Sequence, residues 1–142
     1  MTTITRRTGF ELLTKRGRRP CGQVDLSWSS EWPLEVAMYF PSTRYGPVTW
    51  IVSRDVLIEG LYGPAGLGDF TVFPDSADRA NLLIRFSTPD GRADLMVRRR
   101  AVAGFVNKTT AVVPQGSEVL PDGWIPEPDD PAWEIDPAWG AR

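Results

Sequence analysis

No histidine occurs anywhere in the 142 residues, and Cys21 is the only cysteine. Histidine is the usual proton shuttle near neutral pH and the commonest metal ligand. Its absence removes Ser-His and Cys-His nucleophile activation. With one thiol as well, a Cys/His zinc site within a single chain cannot be built. Carboxylate, lysine or tyrosine chemistry remains open in principle, but no constellation of those residues marks a catalytic site. The expectation is therefore a protein that is not an enzyme and uses no cofactor, metal or small-molecule substrate. A lone cysteine also excludes an internal disulfide and fits a reducing, cytoplasmic setting. No apolar run reaches 18 residues, so no membrane-spanning helix is expected. The charged N-terminus has no apolar stretch behind it, so no secretory signal is expected either.

What is present has the balance of an ordinary globular domain, 42% apolar and 24% charged. The net charge of -2 conceals an asymmetry. Residues 1–20 hold Arg6, Arg7, Lys15, Arg16, Arg18 and Arg19 against Glu11 alone. Residues 117–142 hold Glu118, Asp122, Glu127, Asp129, Asp130, Glu134 and Asp136 against Arg142 alone. Opposite charge at the two ends suggests segments that meet partners or each other, with solvated flexible ends as the competing reading. The chain divides on this basis into a basic N-terminal segment (1–20), a folded domain (21–120) and an acidic tail rich in proline and tryptophan (121–142).

Between Val24 and Val97 the apolar pattern is that of strands. Leu34–Phe40 and Val48–Val52 are rich in β-branched and aromatic residues, and Gly46-Pro47 between them reads as a hairpin turn. Phe70–Phe73, Leu82–Phe86 and, after the turn Pro89-Asp90-Gly91, Ala93–Val97 are further strands. Val24–Trp28 and Phe10–Leu13 read as short edge strands. Two segments have helical spacing: Arg54–Leu61, closed by Gly60 and Gly63, and Arg99–Thr109, with Val102, Phe105, Val106 and Thr109 on one face. Gly104 inside the second costs about 1 kcal/mol relative to alanine, which points to a close packing contact there. The predicted fold is α+β, an antiparallel sheet of five to seven strands with two short helices. Beyond Leu120, Pro126, Pro128, Pro131 and Pro137 forbid a continuous helix or central strand.

Three local features invite a functional reading. Gly63-Pro-Ala-Gly66-Leu-Gly68-Asp69 resembles a phosphate cradle in composition. Its glycines, however, follow a helix and precede a strand, with no Lys-Ser/Thr behind them, so a tight loop using positive φ angles is the better account. Arg98-Arg99-Arg100 opens the second helix, where positive charge opposes the macrodipole. An acidic partner or the chain's own C-terminal tail would compensate it, against the plainer reading of a solvated cluster. Trp124, Trp133 and Trp139 lie in a segment that cannot form its own core, and such residues anchor on a surface. A docking site on the same protein is the favoured one.

The run from Trp50 to Pro74 resembles the SsgA-like family of actinobacterial sporulation and cell-division regulators. Its pattern is a strand ending in Trp, then Arg-x-Leu-Leu-x-x-Gly-Leu-x-x-Pro-x-Gly-x-Gly-Asp and a strand leading to proline. The chain carries Trp50, Arg54, Leu57, Gly60, Leu61, Pro64, Gly66, Gly68, Asp69 and Pro74 in register, with Val56 where the pattern has Leu. Ser87, Pro89-x-Gly91, Phe105, Thr109 and Val113-Pro114-x-Gly116-x-Glu118 continue the match, so order and spacing hold from about Leu34 to Glu118. The resemblance implies a curved antiparallel sheet with helices, similar to the single-stranded-nucleic-acid-binding Whirly proteins, assembled as a homotrimer. It also implies accessory proteins without enzymatic activity, which act with one another and position septa by localising the tubulin-like division protein FtsZ. The arginine-rich stretch Arg6–Arg19 and the tail after Leu120 depart from the family's shorter ends.

The expected function is that of a cytoplasmic adaptor recruited to the division septum, binding FtsZ, another division protein or other SsgA-like proteins. The candidate partner-binding residues are Arg54, Glu59, Gly66, Gly68 and Asp69 around the glycine loop, and Arg98, Arg99 and Arg100 at the second helix. A Whirly-like regulator that binds single-stranded nucleic acid is the alternative. Its signal is weak, because the basic N-terminus interleaves only Phe10 and the sequence pI is about 5.1.

Overall fold

Alternation of inward and outward side chains builds seven strands, and two helical periods close the layers above them. The computed structural model describes residues 1–43 and 46–119. In chain order the elements are β1 (Thr3–Thr14), β2 (Gly17–Ser29), β3 (Glu35–Phe40), β4 (Val48–Ser53), α1 (Arg54–Gly60), β5 (Phe70–Pro74), β6 (Asn81–Thr88), β7 (Gly91–Arg98) and α2 (Arg99–Val112). The strands form one antiparallel sheet in the order β4-β3-β2-β1-β7-β6-β5. Two meanders, each followed by a helix, therefore meet at β1 and β7.

Val24, Leu26 and Trp28 on β2, Val36, Met38 and Phe40 on β3, and Leu82, Ile84 and Phe86 on β6 all turn to one face. Leu57 and Leu61 from the α1 region and Val102, Phe105 and Val106 of α2 cover that face. On a flat sheet, β4 and β6 would lie five strand steps, roughly 24 Å, apart. The rings of Trp50 on β4 and Phe86 on β6 are instead 4.5 Å apart, and Phe40 and Phe86 are 6.2 Å apart. The sheet is thus curled on itself, its two ends drawn together by aromatic contact.

The N-terminal part differs from the sequence-based expectation. Phe10–Leu13 is no edge strand: it belongs to the 12-residue β1, the middle strand of the sheet. Arg6 and Arg7 of β1 are both exposed but on opposite faces. Arg6 lies opposite Leu26 on the face that carries Phe10, and Arg7 faces Asp25 across the ladder and donates to both carboxylate oxygens at 2.7 and 3.2 Å. Phe10 points inward and meets Phe40 edge-on at 5.3 Å. The charge that suggested a tail is carried by exposed side chains along a hairpin and in its turn. Its register shifts so that Phe10 faces Gly22 and Glu11 faces Pro20. Pairing to β7 begins at this same bulge and runs from Phe10 to Leu13.

Gly104 makes no close contact, because a Cβ there would meet nothing within 4 Å. The close approach is at Gly60 instead, where a Cβ would overlap the Val72 side chain. A glycine is needed there because α1 lies directly on β5.

Candidate functional site

The surface expected to meet a partner is the loop from α1 to β5, together with the start of α2. Its frame begins at Ser53, whose side chain caps α1 by accepting from the Val56 amide at 3.3 Å. The next residue, Arg54, is fully buried. Its Nη2 donates to Glu118 Oε1 at 2.6 Å, and its Nη1 donates to the Val113 carbonyl at 2.8 Å and to Thr109 Oγ1 at 3.5 Å. The guanidinium also lies 5.5 Å from the Trp28 ring centroid. Burial pushes the Glu118 carboxyl up. The bonds from Arg54 and from the backbone amides, Gly116 among them, outweigh that and hold the group below the usual carboxylate range. Arg54 therefore locks the end of α2 and the segment after it onto α1, and offers no charge to a partner.

Beyond α1 the chain is pinned at every few residues. The amides of Tyr62 and Gly63 donate to the Glu59 carbonyl at 3.1 and 3.3 Å. Ala65 exchanges two 2.9 Å backbone bonds with Val72, and the Asp69 carbonyl accepts from the Ser87 amide at 2.8 Å. Gly66 and Gly68 adopt the expected positive φ, +96° and +72°. Between them Leu67 is 95% exposed, an apolar side chain held out from an ordered turn. Tyr62 is 72% exposed on the same loop. Glu59, Gly68 and Asp69 are exposed and Gly66 half-buried.

The three arginines of α2 separate in role. Arg99 Nε donates to the Leu61 carbonyl at 2.9 Å, and its guanidinium lies 5.3 Å from the Tyr62 ring. A cation at the carboxyl end of α1 is favourable, which offsets its unfavourable place at the start of α2. Arg99 thereby ties the start of α2 to the loop. Arg98 and Arg100 are exposed and, among the described residues, have no ion pair. Arg98 lines a hollow beside β1 and β7.

Sequence reasoning missed Leu67 and Tyr62, the two apolar groups that the loop presents. The signal for Leu67 was there: a large aliphatic residue between two glycines that both take the left-handed turn conformation has no route to the core. A second outward apolar area lies on β3 and β4, where Tyr39 and Ile51 are exposed. Among the described residues no three of His, Cys, Asp and Glu come together to hold a metal ion.

A family model described as SsgA, a Streptomyces sporulation and cell division protein, matches residues 22–118. The sporulation-specific cell division protein SsgB of Saccharopolyspora erythraea is 34% identical over 116 residues, spanning 82% of this chain and 80% of that protein. The fold superposes with a TM-score of 0.74 on SsgB of Streptomyces coelicolor, mutations in which correlate with longitudinal cell division during sporulation. That pair is 31% identical over 82% of this chain and 93% of the other. The SsgA-like sporulation-specific cell division protein of Thermobifida fusca superposes with a TM-score of 0.73 at 28% identity, covering 82% and 86% of the two chains.

Proposed function

The chain belongs to the SsgA family of sporulation and cell division proteins, and from that premise we propose that it is a non-enzymatic adaptor that helps place the septum by binding FtsZ. It acts in the cytoplasm and at the division site, alone or with other SsgA-like proteins. Leu67 carries this reading. An apolar side chain held out on an ordered turn, with exposed Tyr62 on the same loop, gains nothing for the folded monomer, yet suits a partner's apolar pocket, as anchor residues do. Tyr62, Glu59 and Asp69 are exposed on the same stretch of chain and add one aromatic and two carboxylates, the mixed character of a protein interface.

The nucleic-acid alternative receives less support from the geometry. Stacking of bases needs aromatic faces in solvent among the cations. The basic hairpin β1–β2 holds Phe10 and Trp28, and both are buried. We infer also that the working unit is a homotrimer, with the outward faces of β3 and β4 in contact.

The test is localisation of a fluorescent fusion in the native host, wild type beside Leu67→Ser. Loss of a buried leucine anchor costs about 1.5–3 kcal/mol, roughly a tenfold to hundredfold weaker complex. The wild-type fusion is expected in bands at septa. The variant should stay diffuse while melting at the same temperature as wild type. Septal bands that persist in the variant would exclude Leu67 as the anchor. A wild-type fusion that stays diffuse throughout division would sink the adaptor reading itself.

A further inference from the structure

Where β1 and β7 part at the bulge, the surface holds a hollow of about 340 Å³. Gly9 and Gly22 contribute no side chain to it, Phe10, Pro20 and Met96 are among its apolar lining, and Thr8, Glu11, Asn81 and Arg98 are its polar lining. Arg16 in the turn before β2 and Arg18 and Arg19 on β2 are exposed, and of these only Arg18 has an acidic neighbour among the described residues, Glu11 at 3.8 Å. A partly apolar hollow that holds Arg98, and whose carboxylate Glu11 is already paired with Arg18, suits a large aromatic side chain carried on an acidic segment.

The chain has such a segment. Residues 121–142, which lie outside the described part, hold six carboxylates against Arg142 and the tryptophans Trp124, Trp133 and Trp139. We propose that this C-terminal segment docks on its own subunit with Trp133 in the hollow and Asp129, Asp130, Glu134 and Asp136 facing Arg98 and the β2 arginines.

Reach selects Trp133. The 14 residues of α2 start beside the hollow at Arg99 and lead away from it, about 21 Å at the helical rise. The described chain ends at Val119, one residue past Glu118, which is bonded to Arg54 at the far end of α2. Trp124 follows Val119 by five residues and spans at most about 17 Å, too little to return along the helix. Trp133 follows by fourteen, and even at the polyproline rise of about 3.1 Å per residue it reaches roughly 43 Å. Pro121, Pro126, Pro128 and Pro131 favour that extended form, so less chain entropy is lost on docking. Trp139 reaches too, but only Asp136 lies within four residues of it, whereas four carboxylates flank Trp133. This docking is independent of the FtsZ reading.

The test is fluorine NMR of the full chain labelled with 5-fluorotryptophan, the Trp133 signal being assigned through Trp133→Phe. Docking predicts a Trp133 signal with a solvent-isotope shift well below that of a solvated indole. Arg98→Glu and, separately, Met96→Asp should return it to the solvated position, and dilution should leave it unchanged. Met96 is nearly buried, so Arg98→Glu, on an exposed side chain, decides the matter if the Met96 variant fails to fold. A Trp133 that is solvated in the isolated protein overturns the proposal and leaves the segment to a different protein. Protection that disappears on dilution overturns it in favour of a second copy. Protection that Arg98→Glu leaves unmoved overturns it by placing the segment on another surface.

Discussion

Arg54 and Glu118 stand 64 residues apart in sequence, and each exists in its present form because of the other. A guanidinium fully out of water is tolerated only with its charge matched, and Glu118 does this while Thr109 and Val113 accept from Nη1; Nε alone is left without a partner. Removing one partner leaves an uncompensated buried charge. Glu118→Gln is therefore expected to destabilise the fold by about 3–5 kcal/mol at neutral pH, read from denaturant unfolding. The pH dependence has a definite sign. The folded-state pKa of Glu118 is depressed, so its contribution is complete above the unfolded value of about 4.3 and lost as pH falls through the folded one. Wild type and variant should converge in acid; a gap that stays constant down to the acid transition contradicts the pairing.

The two left-handed glycines make a second test at the same scale. At Gly68 a Cβ would stand in open space, so Gly68→Ala meets only the conformational cost of about 1–2 kcal/mol. At Gly66 the Cβ would also overlap the Phe70 carbonyl oxygen, a backbone atom that cannot swing aside. Thermal melts should show Gly66→Ala clearly the more damaging. Equal losses would mean that the loop is not held as described.

Among the elements, the two edges of the sheet are managed differently. The free side of β5 is covered at Val72 by the reciprocal pair of hydrogen bonds with Ala65, and the strand is ended by Pro74. Among the described residues β4 pairs only with β3, and Val-Thr-Trp-Ile-Val-Ser carries neither charge nor proline to discourage pairing. Within it, Ile51 is 48% exposed and sits opposite Ala37 in the ladder. An unprotected edge with an apolar outward face is where copies of one chain would meet, in a closed symmetric assembly. Light scattering at micromolar concentration should give three times the 15.8 kDa chain mass. Ile51→Lys should lower it toward one chain without lowering the melting temperature of the subunit by more than the loss of association explains. A wild-type monomer mass would dismiss the trimer, and an unchanged mass for Ile51→Lys would move the contact elsewhere.

At the scale of the molecule, local pattern and long-range pairing divided the work. Period-two alternation in residues 34–40, 48–52 and 82–86 and helical spacing in 54–61 and 99–109 are properties of neighbouring residues. The strands and helices there could accordingly be read to within a few positions, α2 running three residues further than expected. The left-handed turns at Gly66 and Gly68 were readable for the same reason. Domain class and family followed as well, because the spacing of Trp50, Arg54, Gly60, Gly66, Gly68 and Asp69 is itself a linear pattern. Sequence alone also determined that no histidine chemistry is available. Only the tertiary structure decided that β1 is the middle strand, since its pairing with β7 joins residues some eighty positions apart. It alone turned Arg54 from a surface candidate into a buried lock, and Arg99 from an uncompensated cation into a cap on α1. A charged side chain carries no local mark of burial. Its fate depends on whether folding brings a carboxylate or a carbonyl within 3 Å, and that distance is set by the curl of the whole sheet.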